Sequence, residues 1–180
     1  MFSLIATLLL IVGPSSAFAD EPTKETAQQA AARKTAEAFG DATVKGDHAK
    51  VVDLTWDGVV EKLGGREKAI KRTEAGMKDI TDKGWKIKTH KVRSVGEFVA
   101  EGEHSFCIVP TLLEVETPDS RIVSKTYLLG ISKDGGKAWK FVSGAGIQKE
   151  ADRKAVLPPL PRALTLPKRE KPEVFKDKQP

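Results

Sequence analysis

The chain of 180 residues holds one cysteine, three histidines, one tyrosine and two methionines. A single cysteine, Cys107, excludes an intrachain disulfide. It reads as a small apolar residue buried in a strand. One cysteine and three scattered histidines do not make the ligand set of a tetrahedral zinc site, so no metal is expected. No Ser/His/Asp order and no Gly-rich phosphate loop stands out, and no cofactor is implied. Internal repeats of roughly 20–50 residues are absent. Beyond residue 19 no apolar run approaches the roughly 20 residues that a bilayer-spanning helix needs. Stable membrane insertion is therefore not expected of that part.

An excess of one charge is also missing from the body of the chain. From Asp20 to Gln148 there are 21 Lys/Arg against 20 Asp/Glu. That balance lacks the basic footprint of a nucleic-acid-binding surface. The excess sits in residues 149–180, with nine Lys/Arg against five Asp/Glu and six of the ten prolines. This tail is expected to be partly disordered, its last dozen residues above all. The leucines of "VLPPLPRALTLP" can strap onto the body in an extended form. The tail's charge suits either plain solvation or attraction to anionic lipid or cell-envelope polymer.

What is present at the start is a leader. Residues 1–19, "MFSLIATLLLIVGPSSAFA", carry no charged side chain. An apolar run from Leu4 to Val12 is followed by Gly13-Pro14 and an Ala-x-Ala site at Ala17–Ala19. That pattern reads as a cleaved signal peptide and places the chain in the periplasm or outside the cell. One domain is expected over residues 20–148, ahead of the tail.

The periodicity then divides the domain. "PTKETAQQAAARKTAEAFGDATVK" reads as an Ala-rich helix with Ala27, Ala31, Ala38, Phe39 and Ala42 on its stripe. Gly46-Asp47 ends it, and Asp47 caps a short helix, "HAKVVDLT". Val59-Val60 reads as a brief extended piece between glycines. Residues 66–82 read as a third helix with Ile70, Thr73, Met77 and Ile80 on one face. From Trp85 the period becomes two. Turn signals at Glu101-Gly102, "TPDS" and "KDGG" then make every link hairpin-length, so the sheet should be antiparallel.

Three stretches resemble a known family. "AEAFGDATVKGDHAKVVDL", "VVEKLGGREKAI" and "KTYLLGISKDGGKAWKFVSG" resemble the opening, the entry to the third helix and the closing hairpin of the nuclear transport factor 2-like superfamily, over about residues 25 to 146. The likeness implies an α+β cone, three N-terminal helices packed in a curved antiparallel meander around an internal pocket. Members include steroid isomerases, dehydratases, polyketide cyclases and many without known chemistry, so the likeness implies fold rather than function. Members also pair through the outer face of the sheet, which makes a homodimer an expectation.

Enzymes of that family place Asp, His or Tyr in the pocket. The matching candidates are Asp57, His104 and Tyr127. A buried carboxylate could abstract a proton, but Asp57 sits in "TWDG", a turn composition, where aspartate commonly bonds its own backbone. Thr55-Trp56-Asp57 also stands where some relatives carry Tyr-x-Pro or His-Pro. His104 opens a strand, and His48 and His90 read as solvated. Tyr127 lies mid-strand and faces either the cavity or a dimer surface. Phe39, Trp56, Trp85 and Tyr127 are the candidates for lining a ligand cavity. Nothing here commits the chain to catalysis. The favoured expectation is a non-catalytic exported domain that binds a small apolar ligand or a protein partner, with an isomerase, dehydratase or cyclase as the alternative.

A third possibility, a glycan-binding module, comes from "SKDGGKAW". These residues resemble the Asp-box of propeller glycosidases. A propeller needs at least four blades of roughly 40–50 residues, and one copy in 161 residues after the leader cannot supply them. The stretch reads instead as a hairpin. Asp134 would bond turn amides, Gly135 and Gly136 would take positive φ, and Trp139 would anchor the return strand.

Overall fold

A computed structural model describes residues 25–176. The expected signal peptide lies outside the described residues. Four α-helices come first: α1 (Ala27–Lys45), α2 (His48–Asp53), α3 (Asp57–Lys62) and α4 (Arg66–Thr81). The strands are β1 (Lys86–Val92), β2 (Val99–Glu101), β3 (His104–Glu116), β4 (Ser120–Ser132), β5 (Lys140–Ser143) and β6 (Glu173–Lys176). A 3-10 turn, Gly144–Ile147, and α5 (Glu150–Val156) lie between β5 and β6. The class is α+β, with a curled six-stranded antiparallel sheet. No described helix is long and apolar enough to cross a membrane.

The helix ends follow local chemistry. Thr26 and Gln29 form a capping box at the start of α1, and Gly46 closes it at φ 71°, a left-handed value that suits glycine. Asp47 then accepts from the Lys50 amide and starts α2. The piece expected to be extended, Val59-Val60, is helical instead. Asp57 in the first turn of α3 favours a helix N-terminus, and Val59, Val60 and Leu63 fall on one helical face. Four helices rather than three therefore precede the sheet.

The α1 stripe is rotated from the expected one. The buried residues are Ala32, Ala36, Phe39, Gly40 and Ala42, while Ala27 is exposed. In so Ala-rich a helix the pattern barely fixes which face turns inward. Gly40 decides it. A Cβ there would stand 2.5 Å from the His90 carbonyl oxygen, so the α1 backbone lies directly on β1.

The sheet order is β1-β3-β4-β5, with β2 also pairing β3 and β6 also pairing β4. The β3–β4 ladder runs from Ser105 opposite Ser132 to Glu116 opposite Arg121. Pro110 sits mid-strand, at the break between β1 and β2, where its missing N–H leaves no ladder bond unmade. The register shifts between Ile87 and Thr89, making a bulge at Lys88. The bulge turns both Ile87 and His90 toward α1. His90, expected to be solvated, packs edge-on against Phe39 with ring centroids 6.2 Å apart.

Each face of the sheet carries a core. Toward α1, Cys107, Val109, Leu128, Trp139 and Phe141 meet Ala32, Ala36 and Phe39. On the other face, Phe106, Tyr127, Leu129, Ile131 and Val142 meet Trp56 and Ile147, and the tail packs over them through Val156, Leu157, Leu160, Leu164 and Leu166. Fully burying one such side chain contributes about 1.5–3 kcal/mol. The tail leucines thus strap onto the body, as the sequence suggests. The expected disorder of the last dozen residues is not what residues 173–176 show: they form β6 against residues 120–123 of β4.

The last hairpin has the expected chemistry. The Asp134 carboxylate accepts from the Lys137 and Ala138 amides at 3.0 and 2.9 Å, and from the Ser132 hydroxyl at 2.8 Å. Gly135 and Gly136 have φ of 72° and 89°. The Trp139 indole donates to the Gly136 carbonyl at 2.9 Å and is 3 % exposed.

Candidate functional site

The space between α1 and the sheet is filled by the first core. A largely apolar cavity lies elsewhere, along the β5 edge. Its lining includes both Phe141 and Val142, neighbours in a strand that point to opposite faces. It therefore wraps the edge of the sheet instead of sitting in its hollow. The Trp56 amide donates to the Phe141 carbonyl at 2.9 Å, and the Phe141 amide donates to the Leu54 carbonyl at 2.8 Å. These two bonds hold the α2–α3 link against β5, so that α3 and α4 stand over the strand.

The cavity measures about 410 Å³, within the roughly 300–1,000 Å³ typical of small-molecule sites. Its apolar wall comes from Phe39, Val52, Val59, Ala69 and Ile147 on five different elements, together with Val156 of α5. Ala69 matters by being small: it is fully buried on α4 yet leaves room beside it. Lys62, Arg72 and Asp152, all exposed, stand at the rim. The tail thus supplies part of the wall and one rim charge.

Beside this cavity lies a shallower cleft bordered by Trp56, Asp57, Glu61 and Lys133. Asp57 does not bond its own backbone here. Its carboxylate pairs with Lys140 at 2.5 Å and Lys133 at 3.1 Å. The Lys140 contact foremost, then that to Lys133, holds its pKa below the usual carboxylate value against the opposing effect of burial. A carboxylate held ionised by two ammonium groups is a weak base. Lys133 also lies 4.7 Å from the Trp56 ring centroid, a cation–π distance.

The other candidates are scattered. His104 packs edge-on against Trp56 at 5.7 Å and lies 6.1 Å from the Phe106 ring. Tyr127 lies on the opposite sheet face from α1, 4 % exposed, under the tail. A Cβ on Gly144 would collide with its ring. Its hydroxyl makes no hydrogen bond among the described residues. Burial pushes its pKa up, with the Arg153 charge and Gln148 acting the other way. Asp57, His104 and Tyr127 are not brought together, and none of them lines the β5-edge cavity.

Of the aromatic lining candidates, Phe39 borders the β5-edge cavity. Trp56 is 6 % exposed and borders the cleft beside it. Tyr127 borders two grooves under the tail. Trp85 is 39 % exposed, just before β1. The lining that the sequence reading missed is largely on α3 and α4. The spacing Val59, Val60, Leu63 was the available signal, since i, i+1 and i+4 share a helical face.

Among the described residues no cluster of three or more His, Cys, Asp or Glu side chains could hold a metal ion. Comparison with protein-family models, with curated proteins and with solved structures finds no match for this chain.

Proposed function

We propose that the chain is an exported, non-catalytic binding domain of the cone type, and that its ligand is small, largely apolar and seated in the β5-edge cavity. One observation carries this reading: a 410 Å³ space walled by Phe, Val, Ala and Ile side chains from separate elements. The space opens at the edge of the sheet, and its lining is what apolar ligands favour. The curled antiparallel sheet with helices against it supports the cone reading alongside the resemblance in the sequence.

The alternative enzyme reading needs acid/base groups at one open pocket. Asp57 is committed to two lysines, and Tyr127 sits under the tail, which weighs against it. Pairing of two copies through the outer sheet face is weakened in the same way, because the tail leucines already cover that face. A sugar platform at residues 132–139 would need an exposed indole, and Trp139 is buried.

Calorimetric titration with 1-decanol, kept below its solubility limit, tests the proposal. Saturable binding of one molecule per chain is expected. Heats no different from dilution would overturn it.

A further inference from the structure

The cavity rim is unevenly charged, and the pattern says what sort of apolar molecule fits. Lys62 on α3, Arg72 on α4 and Asp152 on α5 are the charged residues that border the cavity. None of the ion pairs among the described residues involves any of these three. Of the carboxylates of the helix layer, Asp53 takes Arg66 in a two-pronged pair at 2.6 and 3.0 Å, Asp57 takes Lys133 and Lys140, and Glu61 borders the adjoining cleft and not this cavity. Two cations and one anion therefore remain at the mouth of an apolar hole, a net positive rim.

We infer that the ligand is an amphiphile with an anionic head, its apolar body in the cavity and its head between Lys62 and Arg72. The inference rests on the proposed binding function and adds the charge of the ligand to it. Arg72 offers a planar fork that matches a carboxylate, and Lys62 a mobile point charge. Both groups keep their water until the ligand arrives, so the attraction is that of an exposed pair, weakened by salt. Asp152 works in the opposite direction and disfavours a second negative charge on the head.

Three probes with the same ten-carbon body separate the possibilities: decanoate, 1-decanol and decylammonium, titrated into the full chain at neutral pH and low salt. Decanoate is expected to bind about fivefold or more tighter than decanol, the ratio that corresponds to one well-made exposed charge contact. Decylammonium should bind more weakly than either. Combining Lys62→Gln with Arg72→Gln should make decanoate bind no tighter than decanol measured on the same variant, and about 1 M salt should shrink the advantage in the native chain. Equal binding of decanoate and decanol would overturn the inference while leaving the apolar site intact. So would an advantage that survives the double substitution. Binding of none of the three would overturn the binding function itself.

Discussion

The indole nitrogen of Trp56 donates to the backbone carbonyl of Val156 at 2.9 Å, across 100 residues of chain. Trp56 stands just before α3, and Val156 is the last residue of α5. The bond therefore fixes the tail to the helix layer and closes the wall of the β5-edge cavity. Gly58 completes the contact, because any Cβ at that position would run into the same carbonyl.

Gly58→Ala should accordingly push α5 off α3. The expected loss is about 1–3 kcal/mol, the range for overpacking a close contact, with new proteolytic cleavage between residues 149 and 160. Urea unfolding and limited trypsin digestion measure both. An unchanged unfolding midpoint would show that α5 is not seated on α3.

Ending the chain at Gln148 should uncover Trp56, Tyr127, Val142 and Ile147. Five partly buried tail side chains, Val156, Leu157, Leu160, Leu164 and Leu166, lose their contacts. The loss should be on the order of 3–5 kcal/mol, allowing for their incomplete burial. Increased binding of an apolar-surface dye and a lower melting temperature are the readouts. A truncated chain as stable as the full one would mean that the tail is ornamental.

His90 carries a pH dependence. Burial against Phe39 and α1 lowers its pKa below the ordinary value of about 6.5. The neutral form is favoured by folding, so its stability contribution is complete above the unfolded pKa. It is lost as pH falls through about 6.5 toward the lower folded value. Urea midpoints at several pH values between about 8 and 5 should fall more steeply for the native chain than for His90→Gln. Parallel pH profiles would place His90 in solvent.

Cys107 should be inert in the folded chain. It is fully buried opposite Gly130, and burial pushes its thiol pKa up to about 12. The thiolate is the reactive form. A colorimetric disulfide reagent at neutral pH should react only at the rate of unfolding and promptly in urea. Rapid labelling of the native chain would contradict the packing of the first core.

What the sequence made legible was whatever depends on neighbours in the chain. The 132–139 hairpin is held by Asp134 on amides three and four residues away, and the Gly46-Asp47 break acts on the helices beside it. Three features depend on distant partners and were misread or missed. Val59-Val60 sits between glycines and β-branched, which suggested a strand, but Trp56 bonded to Phe141 turns the segment into a helix against β5. The Lys88 bulge inverts the alternation of β1 and brings in His90. The order of residues 173–176 comes from pairing with residues 120–123, some fifty positions earlier. The cavity was not legible at all, since a void between seven elements has no residue of its own.

Methyl-resolved NMR with 1-decanol tests the central claim most directly, because it reports place as well as affinity. Saturable shifts are expected at the methyls of Val52, Val59, Val60 and Ile147, all in the cavity wall. They should disappear in Ala69→Phe, whose ring would occupy the space, provided its melting curve shows it folded. Shifts confined to the tail leucines, or shifts at the wall that persist in folded Ala69→Phe, would contradict a binding site at the β5 edge.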